Sequence, residues 1–270
     1  MRYWLLMVMM LSGGVWAAPE VQVVKQALVP GGFFVGKVVP EIADVTFNGN
    51  KVKVAEDGTF VVGFDRFADL QQRVTACVLE ACTKKVLTLE PRTYKVQKVV
   101  GVPAKTVDPD VKDLARIKAD TVAIAAARKK TSDGMAFAGD FVLPVKAETS
   151  GVYGSRRTYN GKERNWHKGH DLAAPTGTPV RAPADGVVIL ARDTFMNGNL
   201  ILLDHGYGVT SLYAHLSAMD VKVGQVVQQG EVIGAVGTTG RSTGPHLHWG
   251  ISWGNVAIDP ILWVGHTSPQ

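Results

Sequence analysis

The sequence has few cysteines, and histidine is missing from its first 166 residues. Of 270 residues only Cys77 and Cys82 are cysteines, and the seven histidines all lie between residues 167 and 266. A zinc site built on two cysteine pairs is therefore excluded, and imidazole chemistry must belong to the C-terminal part of the chain. No histidine precedes a glutamate, which also excludes the HExxH helix of thermolysin-type proteases.

Long apolar runs are missing after the N-terminus, where a bilayer-spanning helix would need about 20 residues. The opening stretch MRYWLLMVMMLSGGVWAAPE combines one arginine, a short apolar run and then small residues. Val15 and Ala17 suit the −3 and −1 positions of a signal peptidase site, so we predict a signal peptide at residues 1–17. A retained N-terminal anchor is the alternative. We expect an exported protein with no stable membrane insertion after cleavage.

Export places the two cysteines in an oxidising compartment. Cys77 and Cys82 are separated by four residues in TACVLEACTKK, with no histidine nearby to complete a metal site. This spacing predicts a disulfide that joins the two strands of a β-hairpin.

The net charge of +5 comes from lysines and arginines scattered singly or in pairs. We therefore expect no nucleic-acid binding, although an anionic cell-wall polymer suits an exported basic protein.

The chain divides into two β-rich regions joined by a helix. From residue 18 to 104 short alternating stretches are punctuated by Asn48-Gly49 and Asp57-Gly58, which predict two turns and a β-sandwich-like domain. Residues 105–134 change to helical spacing, with Asp108 as N-cap and a helix from about 109 to 130. Residues 135–270 return to short strands with Gly-rich turns. The fold class is thus mainly β.

Two histidine clusters in the C-terminal region indicate a metal site. In TGPHLHWGI, His246 and His248 are two apart on an expected strand, so both face one side while Leu247 faces the core. In NWHKGHDLA, His167 and Asp171 can converge on one ion only if the chain bends, and Gly169 lies between them.

Several roles within these clusters remain open from the residues alone. His170 with Asp171 is a competing pair, but adjacent side chains on a strand point to opposite faces, which favours His170 standing aside. Asp171 could also orient a ligand imidazole from outside the coordination shell. A zinc-bound water that attacks an amide needs proton carriers, and His215 in LYAHLS suits that role together with whichever of His246 and His248 is not a ligand.

Taken in order, HKGHD, YAHLS and GPHLHWGI, with GTPVRAPADGVV and GQVVQQGEVIGAVGTTG between them, resemble the lysostaphin/LytM-type zinc endopeptidases, metallopeptidase family twenty-three. The resemblance covers about residues 141–260, and the preceding regions are similar to those of proteobacterial members. It implies a lysostaphin-type peptidase fold and one zinc ion. It also implies hydrolysis of peptide bonds in bacterial peptidoglycan, in cross-links or stem peptides, and we expect the periplasm of a Gram-negative bacterium as the compartment.

Residue by residue, the resemblance implies zinc ligands at His167, Asp171 and His248, with acid–base catalysis by His215 and His246. Relatives usually carry an apolar residue where this chain has His170. The loop at residues 155–166 would cover or line the site, and Tyr159 is a weaker candidate for oxyanion stabilisation. His205 is expected in a turn, and His266 has no expected role.

Other functions fit the sequence less well. A non-cleaving activator of another hydrolase would lack some of the five site residues, and all five are present. The stretch GRSTG matches a serine-hydrolase pattern, but a helix should follow its serine, whereas Pro245 and an expected strand do. A biotinyl or lipoyl carrier module would need a lysine at a hairpin tip, and neither APADGVV nor VVQQGEV has one.

Overall fold

The computed structural model describes residues 17–101, 108–159 and 161–265, and most of its regular structure is antiparallel β-sheet. The predicted signal peptide lies outside the described residues, apart from Ala17. Among the helices that the structure describes, none combines the length and apolarity that a membrane crossing requires.

The N-terminal region forms two sheets that share a hydrophobic core. Its strands are β1 (Glu20–Ala27), β2 (Phe33–Val39), β3 (Asp44–Phe47), β4 (Asn50–Val52), β5 (Thr59–Gly63), β6 (Gln71–Val78) and β7 (Ala81–Thr88). One sheet has the order β1-β2-β5 and the other β4-β3-β6-β7. Phe34, Phe60 and Val74 belong to the core between them. This arrangement agrees with the sandwich expected from the sequence.

The predicted turns and disulfide are present in these sheets. Phe47 pairs with Asn50, so Asn48-Gly49 forms a two-residue turn in which φ is +48° and +84°. Positive φ at both positions is the reason that Asn-Gly is favoured there. Cys77 and Cys82 stand directly opposite each other on β6 and β7 and form the disulfide.

A strand β8 (Val96–Val99) and a helix α1 (Val111–Arg128) follow. The helix begins two residues later than the sequence suggested, because the carboxylate of Asp110, rather than that of Asp108, accepts a hydrogen bond from the Asp113 amide (2.8 Å). The predicted linker helix also packs against the C-terminal region. Its Ala127 packs on Ile189 and Leu202 of the C-terminal region.

Within residues 135–159 and 161–265, which the structure describes, the C-terminal region has thirteen strands and two short 3-10 helices, at Ala136–Ala138 and Pro260–Trp263. The strands are β9 (Glu148–Gly151), β10 (Arg156–Tyr159), β11 (Lys162–Arg164), β12 (His170–Ala173), β13 (Pro179–Arg181), β14 (Gly186–Thr194), β15 (Gly198–Asp204), β16 (Val209–Leu216), β17 (Ala218–Met219), β18 (Val226–Val227), β19 (Val232–Ala235), β20 (Leu247–Trp253) and β21 (Val256–Ile258).

One large sheet carries the C-terminal region, in the order β18-β14-β15-β16-β20-β12-β9, with β21 added beside β20. A smaller sheet has the order β13-β19-β17, and a third joins β11 and β10 to β8. In that third sheet β8 and β10 are parallel. Strand β8, which precedes α1 in the chain, therefore pairs with a strand of the C-terminal region.

The two regions also share a core. The alternating stretches of the sequence predict strands buried on one face, but every residue of β5 is buried. Phe60 and Val62 face the N-terminal core, whereas Val61 belongs to the C-terminal core together with Phe33 and Val35 of β2. Both faces of this sheet are therefore covered. Burying one such side chain contributes roughly 1.5–3 kcal/mol.

Candidate metal centre

Three side chains converge where β12 and β20 lie side by side. Asp171 stands directly opposite His248 in the antiparallel register, so both side chains emerge from the same face. His167 precedes β12 and reaches the same point through a bend at Gly169, the position at which the sequence required one. A Cβ atom at Gly169 would overlap the Trp249 carbonyl and the His248 ring, so the close approach requires glycine.

The three candidate ligand atoms form a nearly equilateral triangle. His167 Nε2 lies 2.9 Å from both Asp171 Oδ1 and His248 Nδ1, and the last two atoms are 2.8 Å apart. Ligands of tetrahedral zinc, each 2.0–2.1 Å from the ion, lie about 3.3 Å from one another. The observed spacing differs from that by only a few tenths of an ångström. Two imidazole nitrogens and one carboxylate oxygen are also ligands that zinc accepts, so the residues fit this metal.

The hydrogen bonds of His167 leave one of its nitrogens available as a ligand. Its Nδ1 lies 3.0 Å from the carbonyl oxygen of Val152. A carbonyl can only accept, so Nδ1 carries the proton and Nε2 keeps the lone pair that points into the cluster.

The charge states of the cluster also suit a cation. Burial alone would raise the pKa of Asp171, but hydrogen bonds and charge from His167 and His248 hold it well below its usual value. Burial lowers the pKa of His248, and Asp171 opposes that shift in part. At neutral pH the carboxylate is ionised and His248 is neutral, which are the states that bind metal.

His215 and His246 lie beside the cluster. Their ring centroids are 4.8 Å apart, and the ring of His215 is 6.1 Å from that of His248. His215 lies near the end of β16 with φ at +65°, a left-handed conformation that non-glycine residues seldom adopt and that is concentrated at functional sites. The ring of His215 lines a groove beside the cluster.

Both rings are fixed in the same tautomer. His215 Nδ1 donates to the Thr239 carbonyl oxygen (2.8 Å), and His246 Nδ1 donates to that of Gly244 (2.8 Å). Each Nε2 therefore keeps a lone pair that can accept a proton. Burial, followed by repulsion from the protonated forms of His246 and His248, lowers the pKa of His215 to about 3, so its ring is neutral at pH 7.

The cluster opens into a groove of about 490 Å³. Among the described residues that line it, three are cationic, namely Arg157, Lys168 and Arg241, and Asp171 is the one carboxylate. Trp166 adds an aromatic surface. A groove of this composition suits an extended peptide that carries carboxylates of its own.

The sequence did not reveal two residues that reach this site. Arg157 on β10 contacts the carboxylate of Asp171, and Gln97 on β8 accepts a hydrogen bond from Arg157 Nε (3.0 Å). No motif links residues 97, 157 and 171. The only signal was the RR pair at 156, which by itself is a surface feature as often as a functional one.

The remaining candidates lie apart from the triangle. His170 points away from it and contacts Thr149 Oγ1 through Nε2 (2.9 Å). His205 follows β15 in a turn, where it is buried against the Asp185 carbonyl oxygen and the Ser211 hydroxyl. His266 and the side chain of Tyr159 lie outside the described residues.

The GRSTG stretch does not have the geometry of a serine nucleophile. Ser242 Oγ donates to the carbonyl oxygen of Gly244 (2.7 Å), two residues later. The chain then continues into strand β20 rather than into a helix. The hydroxyl therefore shapes the loop that carries His246.

The sequence and the fold were compared with those of known proteins. The family model "Peptidase family M23" matches residues 165–260. A crystal structure of a Pseudomonas aeruginosa protein assigned to peptidase M23 is 31% identical, covers 90% of this chain and 98% of that one, and has a TM-score of 0.70.

Two curated relatives match about a third of the chain. The DD-carboxypeptidase/endopeptidase Mpg of Neisseria meningitidis is 50% identical over 95 residues, which are 35% of this chain and 22% of that protein. The peptidoglycan DD-endopeptidase ShyA of Vibrio cholerae is 48% identical over 83 residues, 31% of this chain and 19% of that protein. The chain thus spans about a fifth of the length of these relatives.

Proposed function

Because the chain belongs to peptidase family M23, we propose that it is a zinc-dependent endopeptidase that hydrolyses peptide bonds in bacterial peptidoglycan. The observation that carries this proposal is the convergence of His167, Asp171 and His248 on one point of a groove that His215 and His246 also line. Two relatives named for endopeptidase activity, one of them on peptidoglycan, support the substrate class.

The proposed zinc ligands are His167 Nε2, Asp171 Oδ1 and His248 Nδ1. The chemistry that zinc supplies when bound is Lewis acidity toward a carbonyl oxygen and a water molecule. The chain holds its part of the site rigid. The Val152 carbonyl fixes the tautomer of His167, and the β12–β20 register fixes Asp171 against His248.

His215 and His246 are proposed to move the protons of the reaction. Hydrolysis of an amide requires that one group take a proton from the attacking water and that a group return one to the leaving amine. Each ring has a free Nε2 lone pair and a second nitrogen fixed by a carbonyl oxygen. Because burial lowers the pKa of His215, its ring is neutral at pH 7 and its Nε2 is available as a proton acceptor.

The proposed site of action is the periplasm of a Gram-negative bacterium, after removal of residues 1–17. The disulfide between Cys77 and Cys82 supports an oxidising compartment. Fractionation of cells that express the full chain, followed by mass measurement of the purified product, tests both points. A cytoplasmic protein that retains Met1 would contradict them.

Digestion of purified sacculi tests the activity itself. The mature protein is incubated with sacculi, with and without a zinc chelator, and the soluble muropeptides are analysed. We expect new peptide ends without chelator, none with it, and recovery when zinc is added back. Absence of new ends in the untreated sample would overturn the enzyme and favour a non-cleaving activator.

A further inference from the structure

We propose that Arg157 is a positioning residue that holds the Asp171 carboxylate for metal binding, and that Gln97 holds Arg157. This inference rests on the proposed function, because it assumes that Asp171 is a metal ligand. It assigns the N-terminal region a part in building the metal centre, through strand β8.

The two carboxylate oxygens of Asp171 have different partners. Arg157 Nη2 donates to Oδ2, whereas Oδ1 belongs to the triangle with His167 and His248. The side chains of Arg157 and Asp171 are only 12% and 7% exposed. An ion pair that is so well shielded is oriented by its hydrogen bonds, and it prevents the carboxylate from rotating away from the ligand position.

The backbone around the pair leaves room for this contact and little else. Gly151 on β9 pairs with Asp171, and the β9–β12 register shifts immediately afterwards, between Asp171 and Leu172. A Cβ atom at Gly151 would overlap both Asp171 Oδ2 and Arg157 Nη2. Any other residue at position 151 would therefore displace the guanidinium from the carboxylate.

Gln97 connects the ion pair to the backbone. It stands opposite Arg157 in the parallel β8–β10 register, and its Oε1 accepts from Arg157 Nε at 3.0 Å. Its own amide donates to the Ser150 carbonyl oxygen at 3.2 Å, next to Gly151. The result is a continuous series of hydrogen bonds from β9 through Gln97 and Arg157 to Asp171.

Two effects of Arg157 on a bound cation oppose each other. Its positive charge repels the ion, whereas its hydrogen bond holds the ligand oxygen in place. Loss of a group that orients a metal ligand typically weakens metal affinity 10–100-fold. We expect orientation to dominate, because removing Arg157 would leave a buried carboxylate oxygen without its donor.

Zinc affinity of the full mature chain, measured by competition with a chromophoric chelator, tests this proposal. We expect Arg157→Gln to bind zinc about 10–100-fold more weakly than the parent. Arg157→Lys should fall between the two, because an ammonium keeps the charge but not the fork of donors. The absorption spectrum of the cobalt-loaded protein supplies a second readout, since it reports changes in the ligand geometry of Asp171.

Arg156→Gln is the matched control. Arg156 is exposed, and as the preceding residue of β10 its side chain points to the opposite face. This variant loses the same charge and should keep the zinc affinity and cobalt spectrum of the parent. Equal or tighter zinc binding by Arg157→Gln would overturn the proposal, and so would equal weakening by Arg156→Gln.

Gln97→Ala carries the test if Arg157→Gln does not fold. Gln97→Ala should weaken zinc binding too, but by a smaller factor, and unchanged affinity would remove Gln97 from the proposal.

Failure of the proposed endopeptidase function and failure of the positioning role are distinguishable. A parent that binds zinc but leaves sacculi intact would contradict the endopeptidase and not the positioning role, whereas a parent that binds no zinc would contradict both.

Discussion

At the scale of single residues, a metal ligand and a proton carrier should be separable by mutation. His167 contributes Nε2 to the triangle, whereas His215 lies beside the triangle and contacts it through its ring alone. We expect His167→Ala to lose bound zinc, and His215→Ala to retain zinc while peptide release from sacculi falls about 10²–10⁴-fold. Zinc content by elemental analysis and muropeptide release separate the two. Parental zinc content in His167→Ala would show that the ligand set is wrong.

His205 should make stability depend on pH, independently of the groove. Burial lowers its pKa from 6.5 to about 4. The unfolded chain therefore binds the proton at a higher pH than the folded chain, so stability declines as the pH falls below 6.5 and levels off below about 4. Between pH 7 and pH 4.5 this residue alone should reduce the free energy of unfolding by about 2–3 kcal/mol.

The matching variant is His205→Gln, whose amide keeps a donor and an acceptor but does not titrate. Urea unfolding at both pH values, with a chelator present, should show a loss smaller by about 2–3 kcal/mol in the variant than in the parent. An equal loss in the two proteins would assign the acid sensitivity to other groups.

The residues of the site differ in how far the sequence could reveal them. The spacing of His167, Asp171 and the HLH pair carries information, because strand periodicity limits which side chains share a face. The bend at Gly169 and the burial of Leu247 agree with that reasoning. Arg157 could not be found this way. Its partners come from separate strands, and the parallel β8–β10 pairing that places Gln97 opposite Arg157 leaves no signal in the sequence.

At the scale of elements, the sequence predicted well the structures that neighbouring residues form, and poorly the contacts between distant parts of the chain. The Asn48-Gly49 turn and the disulfide hairpin depend on neighbouring residues, and both are present as expected. The start of α1 was misplaced because DPD contains two aspartates that suit an N-cap, and the one whose carboxylate accepts from the Asp113 amide is Asp110. Strand β5 was expected to be half-buried, because alternating apolar residues predict a strand with one buried face. Its other face is buried by the C-terminal region, whose core includes Val61.

At the scale of the whole molecule, the sheet β1-β2-β5 is a wall shared by two cores. Phe33 stacks on Trp263 with ring centroids 4.1 Å apart, while the next residue, Phe34, packs on Phe60 in the other core at 5.9 Å. Lys25 on β1 lies over the Trp263 ring at 4.6 Å. Because a strand cannot unfold on one face alone, the two regions should unfold together.

Phe34→Ala tests this coupling. The described tryptophans, at positions 166, 249, 253 and 263, all lie in the C-terminal region, but Trp253 also packs on Phe47 and Trp166 on Phe67 of the N-terminal region. Fluorescence in a Trp166→Phe, Trp253→Phe background therefore reports on the C-terminal core, through Trp249 and Trp263. Removing the Phe34 side chain leaves a cavity in the N-terminal core and should cost about 3–5 kcal/mol. If the regions are coupled, the free energy of unfolding monitored by fluorescence falls by that amount, and the fluorescence midpoint coincides with the midpoint from circular dichroism. An unchanged fluorescence midpoint would show two independent units. Phe33→Ala is the companion variant, since it damages the C-terminal core directly and must shift the fluorescence midpoint in either case.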